Sequence, residues 1–223
     1  MKKVLLLSAF VSALILGTSA TAVHAETTTS TTTGDITFTL PTDTVDPWNP
    51  NLPGEVNKPD PENPATGLAG PLTLDTAPIL SFGTHEMEMS AKTYTAVNLN
   101  PYLQVSDRRG VSSDGQSQGW NLKVAITDFK DTGKKLNGAT MSLTKASVKS
   151  HLAGQGAAPT ASDITSLDST DQATTIFTAD KGQGLGSWLE VYPRNVISLT
   201  VPQARLGEYS ATLTWTLSSE PLA

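Results

Sequence analysis

The chain has 223 residues, with 15 Lys and Arg against 21 Asp and Glu, three His and no Cys. A formal charge of −6 lacks the basic footprint of a nucleic-acid binder. The absence of Cys excludes a disulfide framework, a thiolate nucleophile and Cys-based zinc or iron–sulfur sites. Thr contributes 32 residues, Gly and Pro together 31, and aromatics only 6%, a polar mixture that leans to β-structure rather than to a helical bundle.

In chain order, Met1-Lys2-Lys3 is a basic start, Val4 to Leu16 is apolar, and Val23-His24-Ala25 is a small-residue cleavage site. The apolar run is short for a membrane span, so the pattern predicts a signal peptide over residues 1–25. No Cys follows it to carry a lipid. Leu40-Pro41-Thr42-Asp43-Thr44 lacks the final Gly of a sortase signal, and Ser218 to Ala223 carries no hydrophobic tail. The expectation is an exported protein that stays on a surface by binding something.

Residues 26–70 read as a disordered Thr/Pro-rich linker. Glu26 to Gly34 is nearly all Thr and Ser, with no apolar group to bury. Ile36-Thr37-Phe38-Thr39-Leu40 alternates apolar and polar and is a candidate isolated strand. Pro41 to Pro71 carries eight prolines, which withhold ladder N–H groups and favour an extended spacer. Trp48 stands out there, as a partner anchor or as a side chain packed on the neighbouring domain.

From residue 71 to the end, short apolar alternations recur between Gly, Asn, Asp and Pro. They predict strands at 72–75, 79–83, 94–99, 102–107, 120–129, 139–148, 174–178, 188–192, 196–201 and 209–218. Residues 149–173 read as a long loop with one helical turn near 162–167. The fold class is all-β, an Ig-like β-sandwich or partly open barrel with long loops.

Two strands share a signature. Trp120, Leu122, Val124 and Ile126 fall on one face of the first, and Tyr209, Ala211, Leu213, Trp215 and Leu217 on one face of the second. Thr212, Thr214 and Thr216 form a hydroxyl row on the opposite face of the second. Burying a Trp removes roughly 150–250 Å² from water, so a core role explains both Trp-x-Leu triplets as well as a binding role does. Trp120, Leu122, Trp215 and Leu217 are therefore candidates for a ligand or partner site, or for the core.

These triplets resemble those of the WxL domain of Gram-positive surface proteins. Flanking blocks agree, in the family's order: Gly70-Pro71-Leu72-Thr73-Leu74-Asp75 with Ser81-Phe82-Gly83, then Pro101 to Gly110 before Gly119-Trp120, then Tyr192-Pro193-Arg194-Asn195-Val196. The resemblance covers about two-thirds of the chain. It implies a secreted, wall-associated protein that holds peptidoglycan or another part of the cell wall non-covalently. It also implies partnership with a membrane-anchored WxL-interacting protein and with other WxL proteins.

No catalytic constellation is legible, and no cofactor or metal is expected. His85 and His151 are far apart and lack metal-ligand spacing. Glu86 and Glu88 alternate with Met87 and Met89 as in an exposed strand, although paired carboxylates are also the equipment of a glycosidase. Asp107-Arg108-Arg109 and Arg194 read as internal braces or anion contacts. Lys134, Lys135, Lys145 and Lys149 read as solvated.

Overall fold

The computed structural model describes residues 28–170 and 172–219. The expected signal peptide and its cleavage site at Ala25 lie outside the described residues. The chain divides into a unit of Met1–Phe38 and a unit of Thr39–Ala223. In the first, residues 28–38 carry no strand, and the candidate strand is not formed.

Among the described residues, the second unit holds every strand and no helix. In chain order the strands are β1 (Leu72–Thr76), β2 (Lys92–Thr95), β3 (Tyr102–Asp107), β4 (Trp120–Ile126), β5 (Lys130–Asp131), β6 (Lys134–Lys135) and β7 (Thr140–Leu143). They continue with β8 (Ser147–Ser150), β9 (Thr160–Ala161), β10 (Ile164–Leu167), β11 (Thr174–Ala179), β12 (Gly186–Val191), β13 (Ser198–Val201) and β14 (Leu213–Ser218).

They form three four-stranded sheets, ordered β1-β3-β12-β8, β10-β7-β13-β2 and β14-β4-β11-β9, plus the β5-β6 hairpin. Each ladder is antiparallel. The fold is all-β as expected, and no sheet closes into a barrel. One apolar cluster joins all three sheets: Val105 and Trp188 from the first, Met141 and Leu199 from the second, Trp120 and Phe177 from the third. Each such side chain stabilises the fold by roughly 1.5–3 kcal/mol through burial.

Several expectations change. Residues 79–83 are not a strand. The buried Asn98 side chain takes over the ladder's role there, accepting from the Ser81 N–H at 3.0 Å and donating to the Ile79 carbonyl at 2.8 Å. Residues 162–167 are not a helical turn but contain β10. Ile164 lies opposite Leu143 and Leu167 opposite Met141, so four residues of β10 span three of β7. That bulge lets an i, i+3 apolar pair face the core from a strand. The expected strand at 139–148 splits into β7 and β8 around Lys145, whose φ of 59° breaks the extended run.

The proline-rich segment, expected as a linker, is fastened to the outer face of the β1-β3-β12-β8 sheet. The Trp48 N–H donates to Gln104 Oε1 at 2.6 Å, and Gln104 Nε2 donates to the Asp46 carbonyl at 3.1 Å. Asn57 donates to the Tyr102 hydroxyl at 3.1 Å, and Lys149 Nζ to the Pro50 carbonyl at 2.8 Å. Proline removes the ladder N–H, so side chains do most of the fastening. The Trp48 ring packs with Tyr102, Leu189 and Val191 and stacks on His151 with centroids 3.5 Å apart. Of the two readings of Trp48, the structure shows the packed one.

Candidate functional site

The two Trp-x-Leu triplets occupy unlike positions. Trp120 and Leu122 sit on β4, which has β11 on one side and β14 on the other, and both are fully buried. The Trp120 indole N–H donates to the Gly184 carbonyl at 3.1 Å, and its ring meets Phe177 edge-on with centroids 5.0 Å apart. Gly184 has φ of 69°, and a Cβ there would strike Ala179 and the Trp120 indole. This triplet is core.

Trp215 and Leu217 lie on the same face, with Trp215 opposite Val124 and Leu217 opposite Leu122. They are only half-buried, because β14 is an edge strand paired with β4 alone. Thr212, Thr214 and Thr216 are exposed, as the alternation requires. The structure therefore brings the four candidates onto one sheet face but leaves only the second pair accessible.

Arg108 and Arg109 are braces, whereas Arg194 is exposed. Arg109 grips the buried Asp107 with Nε at 2.9 Å and Nη2 at 2.8 Å, and also donates to the carbonyls of Gly119 at 2.6 Å and Ser219 at 3.3 Å. Arg108 holds the Asp43 carboxylate at 2.8 Å and the Gly70 carbonyl at 2.7 Å. That hydrogen bond from Arg108 holds the Asp43 carboxyl below the usual carboxylate range. Arg109 spends its fork on Asp107, and Arg108 spends both Nη groups while its Nε is buried, so neither is placed to take an anion.

Beneath the proline-rich strap lies a buried polar network. Asp75 accepts from Thr73 at 2.6 Å, Gln104 at 2.8 Å and Ser106 at 2.5 Å, and Ser106 meets Ser187 at 2.6 Å. Burial pushes the Asp75 carboxyl up even though these donors oppose it. Deeper still, Glu190 points into the core with its Oε1 accepting from the Tyr192 hydroxyl at 2.7 Å. Burial pushes its carboxyl up to about 8. Sequence reading missed both groups, because polar residues on alternating positions look like an ordinary wet face.

An exposed site remains along β2, the edge of the β10-β7-β13-β2 sheet, where a cleft of about 380 Å³ opens. His85 and Tyr94 form its aromatic wall, with ring centroids 4.3 Å apart. His85 Nε2 is fixed by the Phe82 carbonyl at 2.6 Å. Glu86, Glu88 and Lys92 line the rest, with Lys92 and Glu88 3.4 Å apart. Ring faces, carboxylates and an ammonium in one open cleft can meet sugar faces, amines and carboxylates together. Among the described residues, no group of three or more His, Asp or Glu is placed to hold a metal.

Comparison with known proteins agrees with this surface character. A family model described as "WxL domain surface cell wall-binding" matches residues 25–221. No curated protein and no solved structure matches the chain. Both triplets, with the strap and the sheets they complete, fall inside the matched span, and the chain belongs to the WxL domain family of surface, cell wall-binding proteins.

Proposed function

We propose that the chain is an exported, non-catalytic surface protein that attaches non-covalently to the cell wall with peptidoglycan as its ligand. The observation that carries this reading is the match to a wall-binding family over residues 25–221. The contact face we assign is the β2 cleft, since Trp120 and Leu122 are sealed in the core. Muropeptides offer the sugar faces, amines and carboxylates that this cleft complements. An acidic chain on an acidic wall gains nothing from bulk electrostatics, which favours specific contacts of this kind.

We also propose that residues 1–25 are removed on export. The folded wall-binding unit then begins near residue 41 rather than at residue 71, with the strap as part of it.

The test is co-sedimentation with purified, protein-free peptidoglycan. Saturable binding by the parent chain, weakened at least about tenfold by Tyr94→Ala with the fold retained, is the expected result. Failure of the parent chain to sediment would overturn the ligand. It would point instead to the membrane-anchored WxL-interacting protein as the surface attachment.

A further inference from the structure

One pattern occurs twice in this chain. Ile36-Thr37-Phe38-Thr39-Leu40 and Leu213-Thr214-Trp215-Thr216-Leu217 both read aliphatic, Thr, aromatic, Thr, Leu. The second is built into β14. The first forms no strand and leaves Ile36 78% exposed, Phe38 85% and Leu40 56%. An alternation that fits a half-buried strand is thus exposed to water without a sheet.

The sheet that carries the second copy is short of a strand. Nothing pairs with the outer edge of β14 among the described residues. Leu213, Trp215 and Leu217 are half-buried there, with Trp120, Leu122 and Val124 already covered one strand further in. An edge strand with open N–H and C=O groups and an apolar face is a template for another strand.

We propose that residues 36–40 are a donor strand that adds to the free edge of β14 in a second copy of this chain, the two copies exchanging donors reciprocally. With Phe38 centred beside Trp215, Ile36, Phe38 and Leu40 extend the apolar face, and Thr37 and Thr39 continue the hydroxyl row. Main-chain bonds supply affinity and the side-chain alternation supplies register, as in other strand additions.

Two arguments select a second copy over the same chain. Asp43 is pinned by Arg108, and Arg109 beside it holds the Ser219 carbonyl, so Leu40 leaves the domain at the C-terminal end of β14. A donor folding back from there would run parallel to β14, the weaker pairing, in a sheet that is otherwise antiparallel. A second copy can add antiparallel.

Area gives the same answer. One donor carries a single aromatic and two aliphatic anchors, and its acceptor face is already half-covered, so one such contact buries on the order of 500 Å². That is small for a stable complex, whereas a reciprocal pair reaches about 1,000 Å², the lower bound for a specific interface. Reciprocity also closes the assembly as an isologous dimer. Neither strand carries a charge, so two copies of an acidic chain can meet there without like charges opposed. The inference does not depend on the wall ligand.

The experiment is sedimentation equilibrium of the exported chain over micromolar concentrations, beside Phe38→Asp and the double variant Thr37→Cys with Thr216→Cys. The parent chain has no Cys, so any disulfide reports the proposed contact. The expected result is a dimer whose dissociation constant rises at least about 30-fold in Phe38→Asp, the effect of losing one interface anchor. Phe38 is exposed in the single chain, so at concentrations where the parent is monomeric the variant should keep the parent unfolding midpoint. The double variant should run as a covalent dimer on a non-reducing gel. A monomer at all concentrations, a dimer indifferent to Phe38→Asp, or a disulfide formed only within one chain would each overturn the proposal.

Discussion

Trp120→Ala separates core from site. The indole is fully buried, donates to the Gly184 carbonyl and meets Phe177 edge-on. At about 25 cal/mol/Å², burying 150–250 Å² is worth roughly 4–6 kcal/mol as an upper bound. A compact unfolded chain reduces that to about 3–5 kcal/mol, the range measured for Trp or Phe truncated in a core. The Gly184 carbonyl loses its indole donor as well. Against a total stability of about 5–15 kcal/mol, Trp120→Ala should unfold a large fraction of the chain or lower its urea midpoint by about a fifth or more. Trp215→Ala removes a half-covered ring from an edge strand and should cost about 2 kcal/mol, leaving a folded domain. Urea titrations of both variants, followed by circular dichroism, measure the difference. A Trp120→Ala protein with the parent midpoint and lost wall retention would refute the core assignment, because the indole would then have to meet ligand.

Arg109→Ala should cost about 3–5 kcal/mol in the same titration, because it strands the buried Asp107 carboxylate; Arg109→Lys should rescue little, since an ammonium cannot reproduce the two-pronged grip. Glu190 keeps its proton up to about pH 8 when folded but releases it near its ordinary value of 4.5 when unfolded. Between those values the unfolded state binds fewer protons, so stability falls as pH rises and levels off above about 8. Glu190→Gln should remove a slope of about 1 kcal/mol per pH unit in that window, read as the difference between parent and variant midpoints at pH 5 and 8.5. A chain starting at residue 41 should match the midpoint of one starting at residue 26. A chain starting at residue 71 should fall well below both, since it uncovers Tyr102, Leu189 and Val191 and removes the Trp48 and Asn57 contacts to β3.

Strands with strict alternation and clear punctuation were legible in the sequence. The predicted strand at 102–107 is β3 residue for residue, and those at 72–75, 174–178 and 188–192 differ from β1, β11 and β12 by no more than two residues at an end. Three of the misses share a cause: their backbone partners are side chains or bulges, which leave no periodic trace. Asn98 supports residues 79–83 through its amide, a bulge turns Ile164 and Leu167 to the same side, and Gln104, Tyr102 and Arg108 hold a strap whose prolines read as spacer. The strap also explains why all six residues of β3 are buried although Gln104 and Ser106 alternate with apolar neighbours.

The same reasoning shows why the candidate site could be read only halfway. Alternation states that a strand has an apolar face, but not how many strands flank it. Val124 and Trp215 lie opposite each other on the same sheet face, yet two neighbouring strands bury the first and one neighbour leaves the second half-covered. Residues 36–40 carry the pattern again with no neighbouring strand, and their apolar side chains stay in water. Across these three segments exposure follows neighbour count rather than composition. The accessible part of the motif therefore lies where the sheet stops, at Trp215 and Leu217. A partner that adds a strand there would do for Trp215 what β14 and β11 already do for Leu122 and Val124.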